Sequence, residues 1–355
     1  MTIKIGLVGA GKRQRSFYVP VIEKLSNRFS IAGVTNRTNE KGEKLASDLN
    51  CKFYNTPGDL VEKESPDFLI VCVKHSATYE VLESLRDLDI PLLIETPVED
   101  SRIVEFSEKY SSKISVAEQW PYLPIEQFKN QIYSSKILER PMLVMNDGRS
   151  FDYHAIAQLR TYIGRNNIPV IATGQIASMN KMIDFIDNDG KESVSQDSWE
   201  LGNVTFNNGS VISHQFSYMC KKAPFRTIQS LRGYSRNGTI LSGKIDDKNN
   251  DYEILDFRRL CENRETEKMN IVVNQSENVT VSITDKNSGI AWVNKFSDSG
   301  LNDQETAIAT HLLAMGDCSM SDSGPLYSAR DALIDSIVMA GIKQACHTRS
   351  SVSFS

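Results

Sequence analysis

The chain has 355 residues, of which 40% are hydrophobic and 24% are charged, and its formal net charge is -5. This length exceeds that of one ordinary domain, so we expect a soluble protein with two domains. The negative charge argues against nucleic acid or an anionic membrane as a partner. No apolar run in the sequence is long enough to span a membrane, so we expect no membrane partner.

The first predicted strand begins at residue 3, which leaves no room for a signal peptide. Six cysteines are scattered without a Cys-x-x-Cys pair, a usage typical of a reducing compartment. Metal ligands come in spaced clusters, and the five histidines show no such spacing. The sequence therefore predicts a cytoplasmic protein without a metal site.

In the first third of the chain, short apolar runs alternate with segments of helical periodicity. The predicted strands lie near 3–8, 30–35, 68–73, 91–95 and 114–117, and the predicted helices lie near 39–49, 76–87 and 100–111. Alternating buried strands and helices are typical of a doubly wound parallel sheet. We therefore expect a Rossmann-type α/β domain over residues 1–121.

The first strand runs directly into Gly9-Ala10-Gly11. In a dinucleotide-binding unit the first glycine makes the tight turn. The second lets backbone N–H groups approach a pyrophosphate at the start of the next helix. Gln14 stands at the third glycine position of the fingerprint. Lys12 and Arg13 either add positive charge beside the pyrophosphate or are solvated residues at the start of the helix.

The second strand ends in Asn36-Arg37-Thr38. An acidic residue there would bind the ribose hydroxyls of NAD and repel the 2′-phosphate of NADP. The guanidinium of Arg37 can instead fork onto a 2′-phosphate, and Asn36 and Thr38 can donate to the same oxygens. The turn therefore predicts NADP(H) as the cofactor. The alternative is a solvated loop that caps the following helix.

From about residue 140 onward, apolar–polar alternation replaces the earlier pattern. The predicted strands lie near 142–146, 168–178, 203–206, 211–216, 228–233, 253–258, 270–274 and 279–284, and the predicted helices lie near 125–134, 153–163, 305–315 and 326–348. Asn208-Gly209 predicts a hairpin turn. Residues 122–355 are expected to form an α+β domain with an open, mostly antiparallel sheet that binds substrate and mediates oligomerisation. The last helix could pack back on the first domain.

This order of domains, with Gly9-Ala10-Gly11, Glu95-Thr96-Pro97 and His154 followed by Gly164, resembles the Gfo/Idh/MocA family. The family is named for glucose–fructose oxidoreductase and inositol dehydrogenase, and the resemblance extends over almost the full length. It implies an oxidoreductase that transfers hydride between a nicotinamide cofactor and a small polar metabolite. It also implies cofactor contacts at Val73, Glu95 and Pro97, and a homodimer or homotetramer formed through the second-domain sheet.

The chain departs from the family pattern at two proton-handling positions. The family motif is Glu-Lys-Pro, with the lysine beside the substrate hydroxyl and the nicotinamide, and here Thr96 replaces that lysine. The family also carries an aspartate four residues before its histidine, where this chain has Ser150. Oxidation of an alcohol requires removal of the hydroxyl proton, whereas reduction of an imine or an activated carbonyl needs less help. We therefore expect reduction, as in the thiazolinyl imine reductases of the family.

The resemblance assigns His154 as general acid or base, and the alternative is a histidine of the core or of a helix cap. Tyr153 is a second candidate for the proton relay, and Thr96 could position the substrate or the nicotinamide carboxamide. Arg160 could clamp a substrate carboxylate or form a salt bridge. Trp120 and Tyr122 either line the active-site cleft or belong to an interdomain core.

A second function remains open at this point. The missing lysine and aspartate are also compatible with a catalytically degenerate regulator or scaffold that binds the dinucleotide. The family includes a transcriptional corepressor that senses dinucleotide.

Overall fold

The computed structural model describes residues 2–109, 113–186, 190–217, 227–245, 252–321 and 323–354. In chain order the strands are β1 Ile3–Val8, β2 Phe29–Thr35, β3 Lys52–Tyr54, β4 Phe68–Val71, β5 Leu92–Ile94, β6 Ile114–Val116, β7 Leu143–Asp147, β8 Pro169–Ile186, β9 Glu192–Phe206, β10 Val211–Ser217, β11 Ile228–Ser235, β12 Gly238–Ile245, β13 Tyr252–Leu260, β14 Thr266–Lys268, β15 Ile271–Ser276, β16 Val279–Asp285, β17 Ala291–Val293 and β18 Val352–Ser353. The helices are α1 Val19–Lys24, α2 Asn39–Asp48, α3 Pro57–Glu64, α4 His75–Ser84, α5 Ser101–Lys109, α6 Pro124–Ser134, α7 Asp152–Ile163, α8 Asp303–Met320 and α9 Ala329–Thr348.

The chain divides into two compact units. Unit 1 comprises Met1–Pro124, Asn274–Ser282 and Val293–Ile334, and unit 2 comprises Ile125–Val273, Ile283–Trp292 and Asp335–Ser355. The first crossing, after Pro124, falls within three residues of the expected boundary between 121 and 122. The expectation of two contiguous domains is corrected, because two later segments of the chain return to unit 1.

Unit 1 contains a six-stranded sheet in the order β3-β2-β1-β4-β5-β6, with parallel neighbours throughout. This is the Rossmann strand order, and the predicted fold class is confirmed. The direction of winding reverses between β1 and β4, where the carboxyl ends of the strands leave a crevice that binds ligands in such sheets. The elements β3 and α3 were not predicted, and β3 has only three residues, too few to show a period.

Helix α8 belongs to unit 1 because its apolar stripe is buried there. Ile308, Leu312 and Met315 recur at helical spacing and lie in one buried cluster with Ile5 and Leu7 of β1. This burial explains why residues 293–334 return to unit 1 rather than remaining with the second sheet. A capping box between Asn302 and Glu305 begins the helix.

Unit 2 contains a nine-stranded sheet in the order β14-β13-β12-β11-β7-β10-β9-β8-β18. Its pairs are antiparallel except β7 with β10, as the sequence predicted for the second domain. The predicted hairpin between β9 and β10 is present, and Gly209 in its turn has a φ of 82°. A smaller three-stranded sheet has the order β15-β16-β17, and the division between the units passes through it.

A buried polar network attaches α6 to the large sheet. Lys129 Nζ donates to Glu126 Oε1 at 2.8 Å and to Ser242 Oγ of β12 at 2.6 Å, and the Tyr162 hydroxyl donates to the other oxygen of Glu126. Burial lowers the pKa of Lys129 to about 8 despite the opposing pull of Glu126. Each group has a partner, so the network positions α6. Within the described ranges, no helix is long and apolar enough to cross a membrane.

Candidate active site

The glycine loop has the shape that a dinucleotide pyrophosphate requires. Gly9 has a φ of 111°, and a Cβ at this position would lie 2.2 Å from the carbonyl oxygen of Cys72, so no other residue fits. A Cβ on Gly11 would meet nothing within 4 Å, so the backbone there borders open space. Backbone N–H groups next to such a space are suited to a phosphate. The predicted contacts Gly9, Ala10 and Gly11 therefore fit a bound dinucleotide.

The turn after β2 presents a guanidinium and a hydroxyl. Arg37 and Thr38 are exposed, as a contact with a 2′-phosphate requires. Asn36 instead forms hydrogen bonds with backbone groups of two loops of the protein. Its Oδ1 accepts from the Ala10 N–H at 3.0 Å, and its Nδ2 donates to the Thr38 carbonyl at 2.7 Å. The Asn36 amide thus ties the turn to the glycine loop, and its expected donation to a 2′-phosphate stays a prediction.

Arg13 makes contacts that the sequence did not reveal. Its Nε donates to Glu95 Oε1 at 2.9 Å, and its Nη2 donates to Gln119 Oε1 at 3.1 Å. The hydroxyl of Tyr18 donates to the same oxygen of Glu95, and the Thr96 N–H donates to the other at 3.3 Å. Burial, assisted by the negative charge of Glu95, raises the pKa of Tyr18 well above its usual value. Three donors thus converge on one carboxylate, and Gln119 accepts from the same Arg13 guanidinium.

The remaining predicted cofactor contacts lie at the same carboxyl edge of the sheet. Val73, Thr96 and Pro97 are half-buried, and Lys12 is exposed. A surface cavity of about 380 Å³ lies between the start of α4 at His75 and the turn at residues 97–101. This cavity belongs to the edge at which ligands bind in open α/β sheets.

In unit 2, an amide holds the loop that leads into α7. Asn146 of β7 donates from Nδ2 to the Ser150 carbonyl at 2.8 Å and accepts the Ser150 N–H at 3.2 Å. The Ser150 hydroxyl donates to Gln158 Oε1 at 2.7 Å and is fully buried. The residue at the family's carboxylate position is therefore used to fasten the loop and does not serve as an exposed proton carrier.

His214 completes this arrangement from β10. Its Nδ1 lies 3.1 Å from Asn146 Nδ2, a donor, so Nδ1 accepts and the ring proton is on Nε2. Burial lowers the pKa of His214 to about 4, so the ring stays neutral in the native protein at neutral pH. Lys343 Nζ binds Asp152 Oδ1 at 2.9 Å where Asp152 begins α7 with a φ of 53°. These contacts fix the backbone that carries the next two residues.

Tyr153 and His154 lie together in the first turn of α7. Their ring centroids are 4.3 Å apart, and the ring of Phe151 meets His154 edge-on at 5.3 Å. His154 is half-buried, which is compatible with contact to a substrate. Phe151 is 44% exposed, a high value for a large aromatic side chain. Of the three predicted catalytic residues, unit 2 brings these two together, while Thr96 lies in unit 1.

The structure contradicts a substrate-binding role for Arg160. Its side chain is completely buried, its Nη1 donates to Asp335 Oδ1 at 2.5 Å, and its Nη2 donates to the Arg165 carbonyl at 2.7 Å. No part of the guanidinium reaches the surface. Arg160 is therefore a structural ion-pair residue, because burial of a guanidinium requires a paired carboxylate.

Tyr122 also makes internal contacts. Its hydroxyl donates to the Leu326 carbonyl at 2.7 Å, and its ring meets His311 edge-on at 4.9 Å. This engagement favours the core alternative for Tyr122 over a cleft-lining role. Trp120 is half-buried in the short 3₁₀ turn Trp120–Tyr122, which leaves its predicted contact with substrate a proposal.

Sequence reasoning missed two sets of functional neighbours. Tyr18 donates to Glu95, Gln119 accepts from Arg13, and Asn146 and His214 support the start of α7. No local motif marks any of them. The one signal available was Gln14 at the third glycine position, which indicates that the helix after the loop begins unusually.

Part of the chain matches a known family of oxidoreductases. A model described as an oxidoreductase family with an NAD-binding Rossmann fold, Gfo/Idh/MocA, matches residues 3–117. The matched residues span β1 through β6, the whole of the Rossmann-type sheet of unit 1. An uncharacterized protein of Saccharomyces cerevisiae is 24% identical over 139 residues, which cover 37% of this chain and 40% of the yeast protein. The chain thus matches less than half the length of that relative.

Solved structures with this fold cover the whole chain. An NAD-binding oxidoreductase from Klebsiella pneumoniae has a TM-score of 0.68 at 13% identity, covering 99% of each chain. A protein described as an NADPH-dependent oxidoreductase from Desulfitobacterium hafniense has a TM-score of 0.67 at 14% identity, covering 99% of this chain and 98% of its own. UDP-N-acetylglucosamine 3-dehydrogenase from Acidithiobacillus ferrooxidans has a TM-score of 0.64 at 12% identity, covering 98% and 99%. At these identities the structures establish a shared fold.

The buried neutral His214 predicts a specific acid sensitivity. Its pKa is about 4 in the native protein and 6.5 in an unfolded chain. The unfolded state therefore binds the proton first as the pH falls from 6.5 to 4, and native stability decreases over that window. The contribution reaches about 3 kcal/mol near pH 4, with a slope of at most about 1.4 kcal/mol per pH unit.

Urea unfolding of the wild type and of His214→Gln between pH 4.5 and 7.5 measures this contribution. The difference in unfolding free energy between the wild type and the variant should shrink as the pH falls. Only the wild type has an imidazole at this position, and its protonation favours the unfolded state. Parallel pH profiles of the two proteins would contradict the assignment.

Proposed function

We propose that this chain is an NADP(H)-dependent oxidoreductase that reduces an imine or an activated carbonyl group of a small polar metabolite. The turn Asn36-Arg37-Thr38 carries the cofactor assignment, because it exposes a guanidinium and a hydroxyl and contains no carboxylate. Among the structural relatives, one is named for NADPH and another for NAD, so the turn itself supports the choice. A phosphate pairs with the arginine fork more strongly than a ribose hydroxyl does.

The residues of the chain favour reduction over oxidation. The bound nicotinamide supplies or accepts hydride when present. Thr96 has no charge to offer, and the Ser150 hydroxyl is buried against Gln158, so neither can remove an alcohol proton. His154 is half-buried next to Tyr153, and we assign to these two the delivery of a proton to the reduced product. Thr96 would orient the substrate or the carboxamide through its hydroxyl.

Thr96 and Ser150, which stand where the family pattern has a lysine and an aspartate, also support a second function. Without the lysine and the carboxylate of the family pattern, the chain would serve as a dinucleotide-binding regulator or scaffold. The buried and fully engaged Ser150 is the observation that supports this alternative. A cofactor bound without any turnover would distinguish it from the enzyme.

We also propose that the chain forms a homodimer or homotetramer through the large sheet of unit 2. One face of this sheet carries buried residues such as Val144 and Leu231. The opposite face exposes Ile228 and Tyr234 of β11, at 54% and 40%.

We also propose a cytoplasmic location, since the five described cysteines are all free thiols. Fractionation of cells that found the protein outside the cytoplasm would refute that location.

Arg37→Ala tests the cofactor assignment. Wild-type protein should bind NADPH at least about tenfold more tightly than NADH, because one forked phosphate contact is worth that much. The variant should lose the preference, measured by titration calorimetry. Arg330→Ala is the control, since Arg330 pairs with Glu108 at an exposed position of the same unit. Equal binding of NADPH and NADH by the wild type would refute NADP(H).

His154→Ala tests the chemistry. A panel of imines, keto acids and keto-sugars should contain a substrate that consumes NADPH with the wild type. The variant should lose about 10²–10⁴-fold in kcat, the usual contribution of a general acid, while its affinity for NADPH stays unchanged. Tight NADPH binding with no turnover on any member of the panel would favour the regulator instead.

Tyr234→Glu tests the assembly. A charge on the exposed sheet face should convert the proposed oligomer to monomers, because burial of an unpaired carboxylate is unfavourable. Sedimentation velocity at micromolar concentration measures the mass of each protein. A monomeric wild type would contradict the proposed interface.

A further inference from the structure

Arg13 leaves the glycine loop and crosses the carboxyl edge of the parallel sheet. It is the second residue of a helical segment that runs from residue 12 to 24. Its guanidinium nevertheless reaches Glu95, which follows β5, and Gln119, which follows β6. The charge therefore lies on the β4–β6 side of the switch point, although the residue begins on the β1 side.

A π-helical turn explains why two side chains converge on Glu95. The Val19 N–H donates to the Gln14 carbonyl, five residues back, in the turn Gln14–Tyr18. In an α-helix, residues five apart are separated by about 140° around the axis. The wider π turn brings such residues towards the same side. Arg13 and Tyr18 are five apart, and both donate to one oxygen of the Glu95 carboxylate.

The guanidinium of Arg13 is held in a defined orientation. Glu95 and Gln119 accept from Nε and Nη2, and the Arg13 Cζ lies 4.1 Å from the centre of the Phe17 ring. In the described part of the chain, these are the two nitrogens through which Arg13 donates. The side chain keeps 30% of its surface exposed. An arginine fixed in this way presents its remaining N–H groups to an oxyanion at little cost in entropy.

The position of the guanidinium identifies the part of the cofactor that it would meet. A dinucleotide lies across the switch point with one mononucleotide on each half of the sheet. The turn at residues 36–38 ends β2 and so assigns the adenosine half to β1–β3. The nicotinamide half then lies over β4–β6, on the side of Arg13.

We propose that Arg13 binds the phosphate of the nicotinamide mononucleotide half of the cofactor. The inference rests on the proposed function, because it requires that a dinucleotide binds. It also identifies a cation next to the Glu95-Thr96-Pro97 turn, where position 96 itself is uncharged. A guanidinium does not give up its proton in proteins, so Arg13 contributes charge and orientation and takes no part in proton transfer.

Three ligands separate the possible contacts of Arg13 in titration calorimetry. NADP⁺ carries both halves, 2′-phospho-ADP-ribose lacks only the nicotinamide, and adenosine 2′,5′-bisphosphate also lacks the second phosphate of the pyrophosphate and the ribose attached to it. Arg13→Ala should weaken the first two by about tenfold each and the third by less than about twofold. Arg13→Lys keeps the charge without the planar fork of N–H donors. Its affinities for the first two ligands should therefore fall between those of the wild type and of Arg13→Ala.

Arg330→Ala is again the control, and the melting temperature of each variant shows whether it is folded. If Arg13→Ala unfolds, Arg13→Lys carries the comparison. Equal losses for all three ligands would overturn the inference, because Arg13 would then support the loop as a whole. A loss with NADP⁺ alone would also overturn it, since the contact would be with the nicotinamide, and so would no loss with any ligand.

The wild-type titration separates this inference from the proposed function. If the wild type binds neither NADP⁺ nor NAD⁺, the proposed function fails and the inference fails with it. If the wild type binds and the variants match it, the inference alone fails. Should the wild type prefer NAD⁺, the same comparison uses NAD⁺, ADP-ribose and AMP.

Discussion

The close approach of Gly9 to the end of β4 is the constraint on which the nucleotide-binding unit depends. The backbone at Gly9 lies so near the Cys72 carbonyl that a single added carbon would overlap it. This approach places the glycine loop directly at the switch point between β1 and β4. The Ala10 N–H is then held by Asn36, and the following helix begins over the sheet edge. The glycine loop, the turn at residues 36–38 and Arg13 all take their positions from that contact.

A second constraint is the carboxylate of Glu95. It is largely buried at the edge of the sheet, so it must be paired and hydrogen-bonded. Two of its partners come from the helix after the glycine loop, and Thr96 contributes its backbone N–H. The loss of a lysine from the motif thus leaves no unbalanced charge. It does remove a group that can exchange a proton, which is the physical basis for preferring reduction.

In unit 2 the start of α7 depends on hydrogen bonds of a buried amide and on one ion pair. Asn146 binds both the backbone of Ser150 and the ring of His214, and Lys343 neutralises Asp152. Each of these contacts acts on the backbone just before Tyr153 and His154. The family pattern has a carboxylate in this loop, whereas here the Ser150 hydroxyl donates to Gln158 and so holds the loop in place. The same network therefore positions the candidate acid and removes one possible relay.

The sequence by itself determined most strands and helices, the parallel and antiparallel character of the two sheets, and the glycine loop. These depend on periodicity and turn chemistry within a few neighbouring residues. It missed several strands, among them β3, whose three residues are too few to show a period. It also placed α8 in the second domain, because an apolar stripe does not identify the surface against which it packs.

Only the tertiary structure decided which partners the charged and polar side chains bind. Arg160 was expected to face a substrate, and it pairs with Asp335, which lies 175 residues away in the chain. Arg13 meets Glu95 across 82 residues, and Asn36 turns back to Ala10. A charge is equally compatible with solvent, ligand or a distant partner as long as only its neighbours in sequence are known. The choice among these is made by packing, which brings remote residues within hydrogen-bonding distance and excludes water from between them.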